Sequence, residues 1–338
     1  MIEKQPREAD MAGKARADVE RRVRWLPPDF SLAKASRDQL YRLGLLPPEA
    51  GLATEWEVLR NRVMDTKPAY VSAAFRFDTP FRLNKLRQGL GGVRSGSSRN
   101  WSGGCLLPNG GERFQQVVAV WQVPDAAAPP VPGGGNPPDG EYACSTWVGL
   151  DGYRRFAGSL PQLGTGQNLT VAGGVGTVKQ YAWYQWWVRN EDFGPVLISG
   201  MPIAKGDFFL CMVNVISPEE VWFLMLNLSQ NAFTAFGMEA PAPDAPVRGT
   251  TAEWVTERPT KLNSNVLHLL PDYARVPFEP CMARSAPDPS SAGRWRSLTG
   301  ARVIRMTEQR GKPYRSVVIS RARKLGARQL ETSFRATP

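Results

Sequence analysis

Histidine is almost absent from this sequence. The single copy, His268, stands in the apolar run 266–270, where a lone histidine is more often structural than catalytic. Zinc sites that need two or three imidazoles are therefore excluded. A serine triad would have to use His268, and no G-x-S-x-G turn accompanies it. A cysteine–histidine dyad stays formally open, but nothing in the sequence selects its cysteine.

Several other hydrolytic and nucleotide-binding signatures are missing too. The pepsin-type triplets D-T-G and D-S-G do not occur, and no Walker loop is present. No C-x-x-C pair exists, which argues against zinc ribbons and redox motifs. Cys144 and Cys211 stand in apolar strand-like runs, so we predict buried free thiols there. Spacing alone assigns no disulfide among the four cysteines, Cys105, Cys144, Cys211 and Cys281.

Long apolar runs are also lacking. A run such as 221–226 is far shorter than the roughly 20 residues that a membrane-spanning helix needs. We therefore expect no membrane span. The first 25 residues are rich in charged side chains, and they show no apolar stretch typical of a signal peptide.

Charge is abundant but unevenly distributed. The net charge is +11, with +7 in residues 1–99, −5 in residues 100–285 and +9 in residues 286–338. A basic protein invites a nucleic-acid interpretation, yet the middle region, which carries the motifs, is acidic. We expect basic flanks on an acidic domain and no nucleic-acid partner, with a polyanion-binding tail as the alternative.

The pattern of residues changes near position 95. Residues 1–95 contain short helix-like segments, and Ser36 with Gln39 has the spacing of a helix-capping box. A Gly/Ser/Arg-rich linker follows at 89–99. Residues 96–338 consist of short β-type runs separated by Gly, Pro and Asn, which indicates an antiparallel sandwich or barrel. We predict a helical N-terminal extension or pro-segment (1–95) and an all-β domain (96–338).

Five short segments within the β region contain unusual residues in strand-like settings. In chain order they are N-W-S-G at 100–103, T-W-V-G-L-D-G at 146–152, L-P-Q-L-G at 160–164, Y-A-W-Y-Q-W-W at 181–187 and T-A-E-W-V-T-E-R-P at 251–259. In order and spacing these segments resemble the glutamic peptidases, also called eqolisins. One such motif would be weak evidence, whereas five in the same order are strong evidence.

The resemblance implies a fold, an activity and a set of site residues. The implied fold is a two-sheet antiparallel β-sandwich of the concanavalin or jelly-roll type, with a substrate groove on one face. The implied activity is an acid endopeptidase, secreted or periplasmic, that acts on peptides or unfolded proteins without metal or cofactor. Motif alignment places the catalytic pair on Gln162 and Glu257. It places substrate-binding residues on Trp101, Asp151, Trp183, Tyr184 and Gln185.

The chemistry of such a pair follows from its functional groups. A carboxyl can take a proton from water and pass it to the leaving amine. A neutral carboxamide offers N–H donors to the developing oxyanion. Glu257 and Gln162 are therefore sufficient with water as the nucleophile. We expect the two side chains to meet at the floor of one solvent-filled cleft.

Some positions depart from the family pattern or allow a second interpretation. Gln185 stands where secreted fungal members carry Glu, so an amide replaces one carboxyl of the family pattern. Asp151 is either a groove residue or a turn-forming side chain, and Tyr184 belongs to either the groove or the core. The alternative function is a non-catalytic sandwich that binds peptide or carbohydrate. Opposite charges suggest that residues 1–95 dock on the acidic domain as a lid that acid weakens.

Overall fold

The computed structural model describes residues 13, 16–46, 54–79, 81–84, 96–131, 133–153, 157–189, 194–262, 264–288, 291 and 293–336. Within these residues, helix is confined to the N-terminal quarter of the chain. It comprises residues 16–22, a short 3-10 helix, Leu32–Lys34, and the α-helices Arg37–Arg42 and Thr54–Thr66. The predicted capping box is present, since Ser36 Oγ accepts from Gln39 N and Gln39 Oε1 accepts from Ser36 N.

The rest of the described chain is mainly β-strand. The N-terminal strands are β1 (Val23–Trp25), β2 (Ala69–Tyr70), β3 (Ala74–Arg76), β4 (Phe81–Arg82) and β5 (Ser97–Ser98). The central strands are β6 (Trp101–Leu106), β7 (Arg113–Gln122), β8 (Gly140–Leu150), β9 (Ser159–Ala172), β10 (Val175–Val188), β11 (Val196–Ser199), β12 (Phe208–Ser217), β13 (Glu220–Asn227), β14 (Ala232–Glu239), β15 (Ala252–Glu257) and β16 (Thr260–Lys261). The late strands are β17 (Arg275–Phe278), β18 (Met282–Ala286), β19 (Arg294–Arg296), β20 (Arg302–Arg310), β21 (Arg315–Lys324) and β22 (Leu330–Phe334).

The strands pair almost entirely in the antiparallel sense, which agrees with the predicted all-β, sandwich-like architecture. Only β2 with β14 and β5 with β20 pair in parallel among the described strands. One run of neighbours, β20–β6–β15–β8–β9–β10–β11–β3, carries all five sequence motifs, and we call it the site ladder. A second run, β18–β7–β12–β13–β14, packs against it.

Apolar side chains of the two ladders fill the main core. The ring of Tyr184 on β10 packs against Phe223 and Phe236, which lie on β13 and β14. Trp254 on β15 donates its indole N–H to the carbonyl of Val118 on β7 (3.0 Å). All four cysteines are buried and free, which confirms the prediction for Cys144 and Cys211.

The N-terminal region is less helical than the sequence predicts, because it also contributes short strands to the main body. β1 and β2 pair with β14, β3 pairs with β11, and β4 pairs with β16. The helix Thr54–Thr66 packs on the outer face of the second ladder, where Trp56 stacks on Trp295. Most of the predicted linker, residues 89–95, lies outside the described residues.

Opposite charges meet where the N-terminal region joins the body. Arg24 pairs with Glu239 at 2.6 Å, and Arg42 pairs with Glu220 at 3.0 Å. These contacts follow the charge asymmetry seen in the sequence. No helix among the described residues is long and apolar enough to cross a membrane.

Candidate active site

Glu257 is the last residue of β15, between β6 and β8 in the site ladder. The side chain is fully buried, and three N–H groups point at its carboxyl. Oε1 accepts from the backbone N–H of Asn84 (2.9 Å) and from Asn100 Nδ2 (3.2 Å). Oε2 accepts from the indole N–H of Trp147 (3.1 Å). The position is therefore built to hold an acidic group away from bulk water.

Burial dominates the protonation of this carboxyl. Desolvation raises the pKa of Glu257 to about 8, and the hydrogen bonds from Asn84, Asn100 and Trp147 offset only part of that rise. The buried carboxyl is consequently protonated in acid and close to its titration point near neutral pH.

Gln162 lies in β9, and its side chain is fully buried as well. Its amide Nε2 donates to Gln185 Oε1 on β10 (3.0 Å), and the two residues are directly opposite each other in the ladder. Its own Oε1 has no hydrogen-bond partner among the described residues. Gln185 thus fixes the orientation of the amide through its nitrogen, while the amide oxygen remains an acceptor without a hydrogen bond in the described structure.

The ladder register fixes how the two predicted catalytic residues are related. Directly opposite residues share a face, and so do residues two or four apart on one strand. One cross-strand row contains Glu257, Ser145, Gly166 and Tyr181, and a second contains Glu253, Gly149, Gln162 and Gln185. Glu253 and Glu257 are four positions apart on β15, so Gln162 and Glu257 lie on the same face of the ladder.

Gln162 and Glu257 are not in direct contact. They are two strands and four positions apart, about 10 Å across and about 13 Å along an untwisted sheet. No hydrogen bond joins them in the described part of the chain, and both are buried. We expected the two side chains to meet in one solvent-filled cleft. In the structure both are buried and they lie apart on a closed face.

Aromatic side chains and glycine fill the space between the two. The intervening row consists of Val255, Trp147, Gly164 and Trp183. A Cβ at Gly164 would lie 2.6 Å from Trp147 Cβ, so only glycine fits below the two indoles. Trp101 on β6 packs edge-on against Trp147 at 4.9 Å. The structure thus brings Trp101, Trp183 and Gln185 to the face of the predicted pair.

Asp151 and Tyr184 are placed elsewhere. The Asp151 carboxylate accepts backbone N–H groups from residues 248–250 and the hydroxyl of Thr250, at 2.6–3.0 Å. Its backbone is left-handed (φ 70°), as expected for a turn-forming side chain. Tyr184 alternates with Trp183 and Gln185 and lies in the core between the ladders. The structure therefore favours supporting positions for both, the second of the interpretations left open above.

Sequence reasoning missed several residues of this face. Asn84, in the N-terminal region, reaches Glu257 across 173 positions of chain, and no sequence signal indicates that contact. Asn100 and Trp147 lie inside two of the five sequence motifs, so their position in the sequence could have indicated that they belong to the site. Glu253 is a second fully buried carboxyl, and desolvation raises its pKa to about 8 as well. Its Oε1 accepts the backbone N–H of Tyr153 (3.0 Å).

Neither a metal cluster nor the histidine takes part in this arrangement. In the described ranges no three His, Cys, Asp or Glu side chains are grouped to hold a metal ion. His268 is buried, and desolvation lowers its pKa. Acid–base chemistry on this face therefore falls to its carboxyl groups.

The comparisons with known proteins decide the family. The sequence model described as "Peptidase A4 family" matches residues 99–327, about two thirds of the chain. The chain belongs to the Peptidase A4 family. It is accordingly a hydrolase of peptide bonds, and peptides are its substrates.

Solved structures support the same fold. A crystal structure of scytalido-glutamic peptidase with a transition state analog inhibitor is 22% identical, with a TM-score of 0.53. It covers 70% of this chain and 98% of its own. SCP-B, a member of the eqolisin family in complex with the tripeptide Ala-Ile-His, is 20% identical, with a TM-score of 0.50 and the same coverage. A comparison with curated proteins found no match.

Proposed function

We propose that this A4-family chain is an acid endopeptidase in which Glu257 is the general acid and base and Gln162 stabilises the oxyanion. The observation that supports the proposal is the placement of a buried carboxyl and a buried amide, oriented by Gln185, on one face of the site ladder. Trp101, Trp183 and Gln185 belong to the same face and complete the groove. Asp151 and Tyr184 support the structure beneath it.

Glu257 has the surroundings that a proton shuttle needs. Entry of water and substrate removes part of the desolvation that raises its pKa, so the carboxyl can then exchange protons. It takes a proton from the attacking water and delivers it to the leaving amine. While ionised, it is stabilised by the N–H groups of Asn100 and Trp147.

Gln162 supplies the complementary electrostatic role. Gln185 Oε1 holds one of the two amide protons, which fixes the orientation of the amide group. In the proposed role the second N–H of Nε2 donates to the substrate carbonyl oxygen as negative charge develops on it. Because the amide is neutral, this role does not change with pH.

We further propose that the two ladders are the curved sheets of a concanavalin or jelly-roll-like sandwich, with the substrate groove on the outer face of the site ladder. The main core between the ladders and the aromatic cluster around Trp101, Trp147 and Trp183 on the other face support this arrangement.

The test is hydrolysis of an unfolded protein at about pH 3–5, a range chosen around ordinary carboxyl pKa values. Glu257→Gln should abolish cleavage. Glu57→Gln, on the exposed face of a helix, is the control and should cleave as the wild type does. Glu253→Gln is assayed as well, because Glu253 is equally buried and lies in the cross-strand row of Gln162. Equal activity of the wild type and Glu257→Gln would refute the assignment. Peptide binding without cleavage by any form would support the alternative, a non-catalytic binding module.

A further inference from the structure

A short stretch of the N-terminal region lies directly on the candidate site. We call residues Phe81–Asn84 the plug. The backbone N–H of Asn84, the last residue of the plug, donates to Glu257. The carbonyl oxygen of Asn84 accepts from Trp101 Nε1 (3.1 Å) and from Asn100 Nδ2 (3.3 Å). The side chain of Asn84 donates to Thr260 Oγ1 (3.0 Å). Both backbone polar groups of Asn84, its N–H and its C=O, are therefore bound by groups of the site.

The side chains of the plug alternate in burial as in an extended peptide. Phe81 and Leu83 are fully buried, whereas Arg82 and Asn84 are half-buried. The ring of Phe81 stacks on Tyr181, with centroids 5.2 Å apart. Phe81 and Leu83 belong to the same apolar cluster as Trp101, Trp147 and Trp183. Two apolar side chains, two positions apart, thus fill the aromatic face.

The backbone of the plug is paired with the body as a short added strand. Phe81 is opposite Lys261, and Arg82 is opposite Thr260, in an antiparallel pair. Added strands are a common way to bind an extended peptide, with main-chain bonds for affinity and pockets for alternate side chains. The plug shows both features.

The plug lies outside the part of the chain that matches the family. The match begins at residue 99, while the plug's partners Trp101, Tyr181, Glu257 and Thr260 all lie inside it. The partners of the plug therefore belong to the family region, whereas the plug itself lies outside it.

We propose that the plug occupies the substrate groove as a bound peptide would, so that the chain holds its own site closed and Phe81 and Leu83 mark two substrate subsites. This inference rests on the proposed role of Glu257. The nitrogen of Asn84, 2.9 Å from Glu257 Oε1, stands where the nitrogen of a scissile bond would receive its proton. The preferred substrates are then extended peptides with an aliphatic residue just before the cleaved bond and an aromatic residue two positions earlier.

A reversible covalent lock tests the closure. In the full-length chain, Arg82→Cys combined with Thr260→Cys places two thiols on directly opposite residues of β4 and β16, a spacing that suits a disulfide. The native cysteines are all buried and should not interfere. The oxidised double variant should be inactive and should recover activity with reductant, whereas Arg82→Cys alone should not respond. Intact mass before each assay verifies that the chain is uncleaved.

A loosened plug tests the subsites. Phe81→Ala combined with Leu83→Ala removes both buried side chains and should raise kcat/KM more than about tenfold, because a larger fraction of molecules is open. Arg76→Ala is the control, since Arg76 is an exposed residue of the same N-terminal region. Internally quenched peptides with Phe-x-Leu before the cleaved bond should be cut faster than peptides with the order Leu-x-Phe.

Binding of a labelled peptide gives a readout that does not depend on catalysis. The probe is fluorescein-labelled Phe-Arg-Leu-Asn amide, followed by fluorescence anisotropy, with Arg-Phe-Asn-Leu as the control peptide. The probe should bind the loosened variant, and the oxidised, locked form more than about tenfold more weakly. Equal binding of the probe to the loosened variant and to the oxidised, locked form would refute the proposal that the plug occupies the groove, even if the enzyme is active. Stronger binding to the loosened variant without any hydrolysis would support the proposal that the plug occupies the groove. It would refute the proposed catalytic role of Glu257.

Discussion

Replacing Glu257 with Gln should change how the stability of the protein depends on pH. The pKa of Glu257 is about 8 in the folded chain, against 4.5 as its ordinary value. Between these values the folded state holds a proton that the unfolded state releases. The free energy of unfolding therefore falls as pH rises, by about 1.4 kcal/mol per pH unit for this one group. From pH 5 to pH 7 the contribution is about 3 kcal/mol.

Glu257→Gln removes the titrating carboxyl but keeps nearly the same side-chain size and shape. Its amide oxygen can still accept from Asn84 and Asn100, while the amide NH₂ faces the indole N–H of Trp147. That donor–donor contact costs about 1–3 kcal/mol at every pH. We therefore expect Glu257→Gln to be less stable than the wild type at pH 5 and equal or more stable at pH 7.

Guanidinium unfolding at pH 5, 6 and 7 and fixed ionic strength, followed by tryptophan fluorescence, measures this difference. Glu253→Gln should remove a similar slope of its own, because the pKa of Glu253 is also about 8. Glu57→Gln, on the exposed face of a helix, should leave the slope unchanged. Parallel pH dependences for the wild type and Glu257→Gln would mean that Glu257 has the same pKa in the folded and unfolded chain.

Three further outcomes follow from the hydrogen bonds of the site. Asp151→Ala should lower the free energy of unfolding by about 3 kcal/mol or more, because it leaves buried N–H groups unpaired; calorimetry measures this, and kcat/KM of the folded enzyme should hardly change. Gln185→Leu should lower kcat by about 10- to 100-fold at nearly constant KM by freeing the Gln162 amide, and Gln185→Glu should retain activity; steady-state kinetics of both variants decide. Trp147→Phe removes an N–H donor to the ionised form of Glu257, whose pKa is about 8, and should therefore destabilise the chain more at pH 9 than at pH 6, as seen by denaturant unfolding.

The fold and the catalytic candidates were accessible from the sequence for identifiable reasons. The motifs that contain Trp101, Gln162 and Glu257 lie on long strands, where turn residues and β-type runs give a clear signal. Alternation on a strand puts Tyr184 on the opposite face from Trp183 and Gln185, but it does not tell which face is the core, so the position of Tyr184 stayed open until the structure placed it in the core.

The remaining features depend on long-range packing. Strands of two or three residues, such as β1 and β4, are too short for a periodic pattern, so the N-terminal region was predicted as helical. The contact of Asn84 with Glu257 joins positions far apart in the chain, and it forms only because the added strand pairs with β16. The expectation that acid loosens the N-terminal region stays a prediction. Glu257 acts in the opposite direction to that expectation. Its pKa is raised in the closed structure, so protonation in acid stabilises the closed state.

The central claim is that Gln162 and Glu257 act as one catalytic unit, and a double-mutant cycle tests it most directly. Kcat/KM is measured at acid pH for Gln162→Met, Glu257→Gln and the double variant, all in the loosened-plug background. We predict that the double variant is no slower than Glu257→Gln alone, because groups that act together are strongly non-additive. Wild-type kcat/KM in Gln162→Met, or losses that simply multiply in the double variant, would contradict the claim.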